Sequence, residues 1–498
     1  MAVTSRVFRL LIASILLTAV ATPSAQKKLP ATPPSSMITE ASIRGHMGFL
    51  ASDAMNGRGS GSVDEWRAAE YIGSEMLAWG IEPLGDNGGF VQKIDTGVVR
   101  ASAAPLVLVG GASPLVLMHG REILVQSINK GAVSGPLYRY TFGAPVPDGA
   151  FVFVPDGVTP DNATLAKAAG MFTVETSAIR ASWAATAGRL PTAAAGGGGR
   201  GAGTPAPPIV RIVLDKTTHA AIAGMADGTK IDFQTATEHG YTWNAVGRLK
   251  GRDPAQAAEV ILLTAHLDHL GNALTGDRCT PMATDTICNG ADDDASGSTA
   301  VLELAEAIAR GPRPKRTVLF AWFGSEEAGG YGARHFLDKP LVPQHSIVAN
   351  LEFEMIGRSD PAVAEKTLWL TGYERSNLGV ELAKQGARLV QDPHPDQNFF
   401  SRSDNIQLAQ AGVIAHTVSS FNLHPEYHHA NDDLAHIDFA HMTMAIQSMY
   451  APVMWLTNST FKPDWYPNCR PLPRAPSTPA AASTTPAAPA APCKANGK

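Results

Sequence analysis

The stretch "VILLTAHLDHLG" (residues 260–271) decides the fold class of this chain. Its first six residues form a continuous apolar run, which is typical of a strand covered on both faces of a parallel sheet. Similar runs recur in "TVLFAWFG" (317–324) and "SIVANLEFEMIG" (346–357), and the amphipathic segment "STAVLELAEAIAR" (298–310) separates the first two. Strands that alternate with helices predict an α/β domain with a mixed, mostly parallel central sheet flanked by helices.

Composition divides the rest of the chain into regions. Residues 38–95 and 241–462 carry the helical and α/β patterns, and we interpret them as one discontinuous domain. Residues 96–240 are rich in Gly, Pro, Ala and Val and contain short apolar runs, which predicts a small β-rich domain inserted into the first. Residues 466–498 are typical of a low-complexity tail.

Two segments near the start of the discontinuous domain have helical periodicity, "MITEASIRGHMGFLAS" (37–52) and "VDEWRAAEYIGSEMLAWGI" (63–81). The apolar face of the second predicted helix comprises Trp66, Ala69, Tyr71, Ile72, Met76 and Leu77. Within the insert, residues 161–179 predict a helix followed by a strand, and residues 193–208 predict a flexible, glycine-rich loop.

The first 25 residues have the pattern of a secretory signal peptide. Arg6 and Arg9 precede an apolar run at residues 10–20, and small residues that suit cleavage follow up to Ala25. The run is short for a membrane span, although an N-terminal anchor or a buried helix would share its composition. We therefore expect an exported protein, periplasmic or extracellular, with no stable membrane insertion after signal removal.

The net charge and the cysteines indicate which classes of binding partner and which cellular compartment to expect. The formal net charge is −5 and the sequence has no long basic run, which argues against a nucleic-acid partner. Cys279 and Cys288 flank a short loop and predict a disulfide, as expected in an oxidising compartment, and Cys469 and Cys493 could form a second. Free thiols are the alternative, and the oligomeric state stays open.

Acidic residues and histidines gather at the ends of the predicted buried strands. They are His266, Asp268, His269, Glu326, Glu327, Glu352 and Glu354, with His424, Glu426, His428, His429 and Asp432 further along. In open α/β sheets, ligands bind beyond the carboxyl ends of the strands. A carboxylate cluster with no interleaved Lys or Arg needs a cation, and imidazole together with carboxylate suits zinc.

The stretch "NGADDDASG" (289–297) allows two interpretations. Asp292, Asp294, Ser296, Gly297 and Glu303 have the spacing of an EF-hand calcium loop. The preceding residues do not predict the helix that an EF-hand requires, and Glu303 belongs to the amphipathic helix pattern. In the other interpretation one of the aspartates bridges two zinc ions.

The order of these motifs resembles a known family. His-x-Asp, Gly-Ala-Asp-Asp-Asp-Ala-Ser-Gly, Glu-Glu, an acidic residue before Met-Ile-Gly, and Tyr-His follow one another as in the di-zinc, aminopeptidase-type peptidases of metallopeptidase family twenty-eight (clan MH). The resemblance covers roughly residues 40–95 and 241–460 and implies the zinc exopeptidase, phosphorylase/hydrolase-like fold. The intervening segment loosely resembles a protease-associated domain.

The resemblance implies two zinc ions as cofactors and a role for individual residues. The metal ligands would be His266, Asp293, Glu327, Glu354 and His428. Asp293 would bridge both ions, Asp268 would orient His266, and Glu326 would be the general base. A cis peptide bond between Asp293 and Asp294 is implied as well.

One position departs from the family pattern. The residue before Met-Ile-Gly is often Asp in the family, and this chain has Glu354 there. Glu is longer by one methylene and can bind a metal equally well. Glu352 is the rival ligand, and Glu354 is preferred because it directly precedes Met355.

The function implied by the resemblance is that of a secreted exopeptidase, which hydrolyses the N-terminal bond of peptides or proteins with metal-activated water. A carboxypeptidase or a glutaminyl cyclase on the same fold is an alternative. A carboxypeptidase needs a cationic pocket for the substrate carboxylate, which Arg358, Arg375 or Arg402 could supply. A non-catalytic binding protein on this scaffold is more remote, because all ligand positions and Glu326 are filled.

Overall fold

The computed structural model describes residues 34–188, 190–191, 209–274, 278–473 and 493 of the 498-residue chain. The signal peptide predicted at 1–25, the glycine-rich loop at 193–208 and most of the tail at 466–498 lie outside the described residues. Within the described ranges, no helix has both the length and the apolar character that a membrane span needs.

The described residues form strands and helices along the whole chain. The strands are β1 (Glu82–Pro83), β2 (Val91–Ala101), β3 (Leu106–Val109), β4 (Leu115–Met118), β5 (Ile123–Ser127), β6 (Ala132–Arg139), β7 (Phe151–Phe153), β8 (Gly170–Val174), β9 (Val210–Leu214), β10 (Lys230–Gln234), β11 (Thr237–Leu249), β12 (Val260–His266), β13 (Thr317–Phe323), β14 (Ile347–Phe353), β15 (Leu368–Leu370), β16 (Leu389–Gln391) and β17 (Ala415–Ser419). The α-helices are α1 (Glu40–Leu50), α2 (Val63–Ala78), α3 (Ser177–Ala181), α4 (Trp183–Ala187), α5 (Lys216–Ala223), α6 (Gly297–Arg310), α7 (Tyr331–Asp338), α8 (Leu378–Lys384), α9 (Asn405–Ala411) and α10 (Phe439–Asn458).

The larger sheet is mixed, with a parallel centre. Its strand order is β1-β11-β13-β12-β14-β17-β15-β16, and β2 pairs with β11. The central neighbours β13, β12, β14 and β17 are all parallel, whereas β11 and β15 join them in antiparallel fashion. The predicted fold class, a mixed and mostly parallel sheet flanked by helices, is confirmed.

Helices cover both faces of this sheet, which explains why its central strands are continuously apolar. In β13, Val318, Phe320 and Trp322 belong to the core beneath α1, α2, α6 and α10. The alternate residues of β13 pack on the opposite face with α7 and α9. Side chains on a strand alternate between faces, so a strand between two helical layers favours apolar residues at every position.

A second sheet contains the strands between β2 and β11. Its order is β4-β3-β10-β6-β7-β8-β9-β5, and its own core includes Leu137, Phe151, Phe172, Val210 and Phe233. β2 and β11 pair over most of their lengths in the larger sheet, so the chain enters the second sheet and returns from it along two neighbouring strands.

Two details of the sequence interpretation are wrong. Residues 162–167 form turns instead of a helix, because the Asp161 carboxylate accepts the amide of Thr164 and holds the chain in a tight bend. The strand expected after them is β8. On α2, Trp66 and Leu77 are exposed by 40% and 67%, because the buried face runs through Ala68, Ala69, Ile72 and Met76.

Candidate metal centre

The carboxyl ends of three adjacent parallel strands deliver most of the candidate site. His266 is the last residue of β12, Glu326 and Glu327 follow β13, and Glu354 follows β14. The register pairs His266 with Phe323, so the residues after β13 lie beside the end of β12. This convergence is the usual origin of a ligand site in an open α/β sheet.

One group of candidate ligands contains His266, Asp293 and Glu354, with one atom of each close enough to share a metal ion. His266 Nε2 lies 3.1 Å from Asp293 Oδ1. The other ring nitrogen, Nδ1, lies 3.1 Å from the carbonyl oxygen of Asp268, which turns Nε2 toward Asp293. The predicted residue Glu354, and not Glu352, is the one that joins this group, since Glu352 Oε2 accepts the amide of Asn405 at 2.6 Å.

A second group shares Asp293 and contains Glu327, His428 and His269. His428 Nε2 lies 3.1 Å from Glu327 Oε1 and 3.3 Å from Asp293 Oδ2. His269, Asp293 and Glu327 also satisfy the spacing for a common metal ion. The ring of Tyr427 stacks on that of His428 at 3.8 Å between centroids, which fixes the orientation of the imidazole.

Three consecutive aspartates have separate surroundings in the turn Ala291–Ser296. Asp293 alone faces both groups. Asp292 Oδ1 accepts the amide of Gly357 at 2.7 Å, and Asp294 Oδ1 accepts that of Met355 at 3.1 Å. The peptide bond between Asp293 and Asp294 is cis, as the resemblance implied.

The EF-hand arrangement is not formed. Glu303 would have to join the aspartates, but it lies on α6, where its carboxylate is 3.8 Å from His46 Nε2. Backbone amides already occupy the carboxylates of Asp292 and Asp294. The turn therefore lacks the oxygen ligands that calcium requires.

Asp268 connects the predicted general base Glu326 and the predicted ligand Glu327 to the scaffold. Its Oδ1 accepts the amide of Glu326 at 3.0 Å, and its Oδ2 accepts the amide of Glu327 at 3.3 Å. The Ser60 hydroxyl donates to Oδ2 at 2.5 Å. The carboxylate lies 3.7 Å from His266 Nδ1, farther than its own carbonyl oxygen, so its main contacts are with the Glu326–Glu327 loop.

Two buried ionisable residues, Arg58 and Glu65, bind the backbone of the loops around the site. Arg58 is almost completely buried and donates to the carbonyl oxygens of Leu50, Leu267, Asn289 and Gly290. Glu65 is fully buried and accepts the Ser325 amide at 2.7 Å and the Gly61 amide at 3.0 Å. Both residues fix loops that carry candidate ligands, because they tie them to the segment before α2.

The pKa values show how strongly the cluster attracts positive charge. Burial raises the pKa of Glu354 to about 7, against the opposing charge of His266. Burial also opposes ionisation of Glu327, yet the imidazoles of His269 and His428 bring its pKa to about 2. Burial works against a proton on His428, but Asp293 and Glu327 raise its pKa to about 10. Such a cluster suits a divalent metal, which would displace these protons.

The orphaned ring nitrogens are the structural evidence that the residues fit zinc. His266 Nε2, His269 Nδ1 and His428 Nε2 are buried and make no aligned hydrogen bond among the described residues, although each faces carboxylate oxygens. Imidazole nitrogens and carboxylate oxygens at such spacings are what zinc binds.

All seven residues predicted to act at the site lie together here. The sequence places His269 at the end of β12 with the other candidate residues, but the resemblance assigns it no role. The signal was its place three residues after His266. His424 and His429 stand apart from both groups, since His424 contacts Asp292 and His429 contacts the Tyr427 carbonyl.

The structure contains the two predicted disulfides, one near the candidate metal centre and one near the carboxyl end of the chain. Cys279 pairs with Cys288 in the loop before the aspartate turn, and Cys469 pairs with Cys493. The first pair packs against Leu270, Ala273 and Ala430, which lie next to the chain segments that carry His269 and His428.

Comparison with known proteins agrees with this arrangement. Residues 244–452 match the model described as "Peptidase family M28". The leupeptin-inactivating enzyme 1 of Streptomyces exfoliatus is 32% identical over 139 residues, which is 27% of this chain and 28% of the relative. An aminopeptidase of Pseudomonas aeruginosa is 34% identical over 118 residues, 23% of this chain and 18% of the relative. The matches thus span less than a third of these two relatives.

A solved structure extends the likeness to the fold. The aminopeptidase from Aneurinibacillus sp. strain AM-1 superposes with a TM-score of 0.51 and 16% identity, covering 86% of this chain and 96% of that one. The candidate ligands thus lie within the segment, residues 244–452, that matches the model of peptidase family M28, and the likeness to the solved structure concerns the fold.

Proposed function

We propose that this chain is an exported zinc aminopeptidase that removes N-terminal residues from peptides or proteins. The observation that carries the proposal is the pair of ligand groups that share Asp293, His266 with Glu354 on one side and Glu327 with His428 on the other. A carboxylate between two metal positions is the arrangement that two-metal hydrolases use. Export is supported by the leader sequence and by the two disulfides.

Two zinc ions, when held by these residues, would polarise the scissile carbonyl and acidify a bound water molecule. Glu326 is buried next to the ligands, and Asp268 holds its amide. In the proposed reaction its carboxylate takes the proton from the attacking water and then delivers it to the departing amine. Asp268 fixes the positions of Glu326 and Glu327, because its carboxylate accepts hydrogen bonds from both of their backbone amides.

The cavity beside Glu354 supports a preference for apolar N-terminal side chains. It is a narrow cleft with a volume of about 20 Å³, and four aromatic residues form much of its wall. These residues are Trp369, Phe399, Phe421 and Tyr427. A side chain that enters this cavity would bury its apolar surface while the peptide bond lies at the metal groups.

The experiment measures zinc content and the hydrolysis of an aminoacyl p-nitroanilide series by the wild type, Glu326→Ala and Glu326→Gln. We expect two zinc ions per chain in all three proteins and a loss of kcat of roughly 10²–10⁴-fold in both variants. Glu238→Ala, at an exposed position, is the control and should retain wild-type rates. Absence of zinc from the wild type would contradict the proposal.

A carboxypeptidase is the second candidate, and one residue favours it. Arg402 lines the cavity next to Glu354, where it could bind a substrate carboxylate. The other two arginines considered are engaged elsewhere, since Arg358 contacts Glu426 and Asp432, and Arg375 stacks on Phe400. Zinc binding without cleavage of any free-amine substrate, together with release of C-terminal residues that Arg402→Gln abolishes, would favour this candidate.

A further inference from the structure

His269 has the same surroundings as the two histidines that the family pattern assigns to the metals. Its ring is fully buried, and neither nitrogen makes a hydrogen bond to any residue that the structure describes. Nδ1 lies 3.3 Å from Glu327 Oε1 and 3.8 Å from Asp293 Oδ2. The carboxylates near Nδ1 offset part of the cost of burying this imidazole, and a cation between them would offset more.

The spacing of the four side chains fits a single tetrahedral zinc ion. Ligand atoms about 2.1 Å from zinc lie about 3.4 Å from one another in a tetrahedron. The His428 nitrogen is 3.1 Å and 3.3 Å from the oxygens of Glu327 and Asp293, and His269 Nδ1 is 3.3 Å and 3.8 Å from the same two oxygens. The rings of His269 and His428 meet edge to face, at 71° and 5.9 Å between centroids.

The backbone holds His269 in this position from two sides. Its amide donates to the Arg58 carbonyl at 3.0 Å, and its carbonyl accepts the Ser60 amide at 3.2 Å. Gly290, with φ +58°, packs so closely on the ring that a side chain there would collide with it. The imidazole is thus fixed before a metal arrives, which is the condition for a precise ligand.

We propose that His269 Nδ1 is a sixth protein ligand of the metal pair and binds the ion held by Glu327 and His428; this rests on the proposed two-zinc function. That ion would then have four protein ligands, His269, His428, Glu327 and Asp293. The ion held by His266, Asp293 and Glu354 would have three and would keep a position open for water or substrate. The two metal positions would differ in affinity, and the one with two imidazoles would fill first.

The test counts imidazoles directly by X-ray absorption spectroscopy at the zinc edge, on the full chain loaded with two equivalents of zinc. The proposal expects three imidazole ligands for every two zinc ions in the wild type and two in His269→Ala. Two in the wild type would overturn the proposal whether or not the variant folds, and would leave His269 as a residue that only orients Glu327. A wild type that binds no zinc would instead refute the proposed function.

A zinc titration of the chelated protein gives the second readout. We expect the first equivalent of zinc to bind roughly 100-fold more weakly to His269→Ala and His269→Asn than to the wild type. Loss of a residue that only orients a ligand weakens metal binding by about 10- to 100-fold, so the expected effect lies at or above the upper end of that range. The second equivalent should change much less. His429→Ala is the matched control, because His429 follows the ligand His428 but contacts only the Tyr427 carbonyl through Nδ1. An unchanged first equivalent in both His269 variants would contradict the proposal.

Discussion

Asp292, Asp293 and Asp294 are neighbours in sequence, yet only Asp293 faces both metal groups. The flanking aspartates accept backbone amides of the segment after β14, and so they join the turn to the strand that carries Glu354. The three can stand side by side because backbone amides stabilise the flanking carboxylates, whereas Asp293 faces the candidate metal positions. The family resemblance predicted Asp293 as the bridging ligand, and the structure places it in both candidate groups, but the sequence does not show how its neighbours are bonded.

His269 shows where residue-level prediction stopped. A histidine three residues after a ligand on a helix would project from a predictable face, but in a loop its side-chain direction does not follow from the spacing. The sequence could therefore not predict that the His269 ring faces the other candidate ligands. The direction comes from the Arg58 carbonyl and from Gly290, which are distant in sequence. Arg58 was missed for the same reason, since its four acceptors are backbone oxygens, which no sequence motif records.

Arg58→Met should destabilise the protein strongly. It would leave the carbonyl oxygens of two candidate ligand loops and of α1 without their buried donor, and we expect a loss of roughly 3–5 kcal/mol. Arg58→Lys should recover only part of this loss, because an ammonium group cannot reproduce the fork of guanidinium donors. The measurement is urea unfolding of zinc-loaded protein.

Arg67→Met is the control for this prediction. Arg67 is 54% exposed and pairs with the buried Asp64, which keeps a second donor in Asn56, so its removal should cost much less, about 1 kcal/mol. If Arg58→Met unfolds at the same urea concentration as Arg67→Met, the buried guanidinium is not a major support of the site.

The secondary-structure elements were predictable where burial on two faces gives a continuous apolar run. β12, β13, β14 and α6 lie where the sequence placed them. Prediction was poorer where one local contact decides the conformation, as at Asp161, or where the buried face of a helix depends on its neighbours, as on α2. The strand order of the central sheet followed from none of these patterns, because pairing is set by tertiary packing.

β17 contains a histidine that makes stability depend on pH. Burial lowers the pKa of His416 to about 4, and its nitrogens contact the Ser376 hydroxyl and the Thr371 carbonyl, both at 2.7 Å. Since the folded pKa lies below the ordinary 6.5, the unfolded chain binds the proton more tightly. Stability is therefore complete above pH 6.5 and is lost as pH falls toward 4, by up to roughly 3 kcal/mol.

Chemical unfolding of the wild type and His416→Gln between pH 7.5 and pH 4 measures this contribution. The wild type should lose more stability over the interval than the variant, because glutamine does not titrate. His436→Gln is the control, since His436 is exposed and pairs only with Asp433. Parallel curves for the wild type and His416→Gln would show that His416 does not carry the acid sensitivity.

Across the whole molecule, the candidate metal centre depends on one sheet only. All the candidate metal ligands lie on segments attached to the larger sheet, whereas the second sheet has a core of its own. The two-sheet organisation is consistent with the change in composition between residues 96 and 240, although composition alone could not show that β2 and β11 run side by side.

Removal of zinc should loosen the two parts of the molecule unequally. At a thousandfold excess over its Kd a zinc ion stabilises the state that binds it by about 4 kcal/mol, and chelation withdraws this stabilisation from the larger sheet. Hydrogen exchange should accelerate in residues 266–274, 288–297 and 424–432 and stay unchanged in strands β6 to β9. Equal acceleration in both sheets would show that the metals hold the chain together as a whole, and magnesium in place of zinc is the control.

The position of the site has a consequence for when activity can begin. Its supports and ligands extend from Arg58 and Ser60 to His428 and Asp432, so most contacts around Asp293 join segments far apart along the chain. Contacts of such long range form late in folding, after loop closure has been completed elsewhere. A nascent or partly translocated chain would therefore hold no assembled centre, and peptide cleavage would begin only when the last segment with His428 has docked. Because of this topology, the proposed peptidase activity can begin only after the chain has folded.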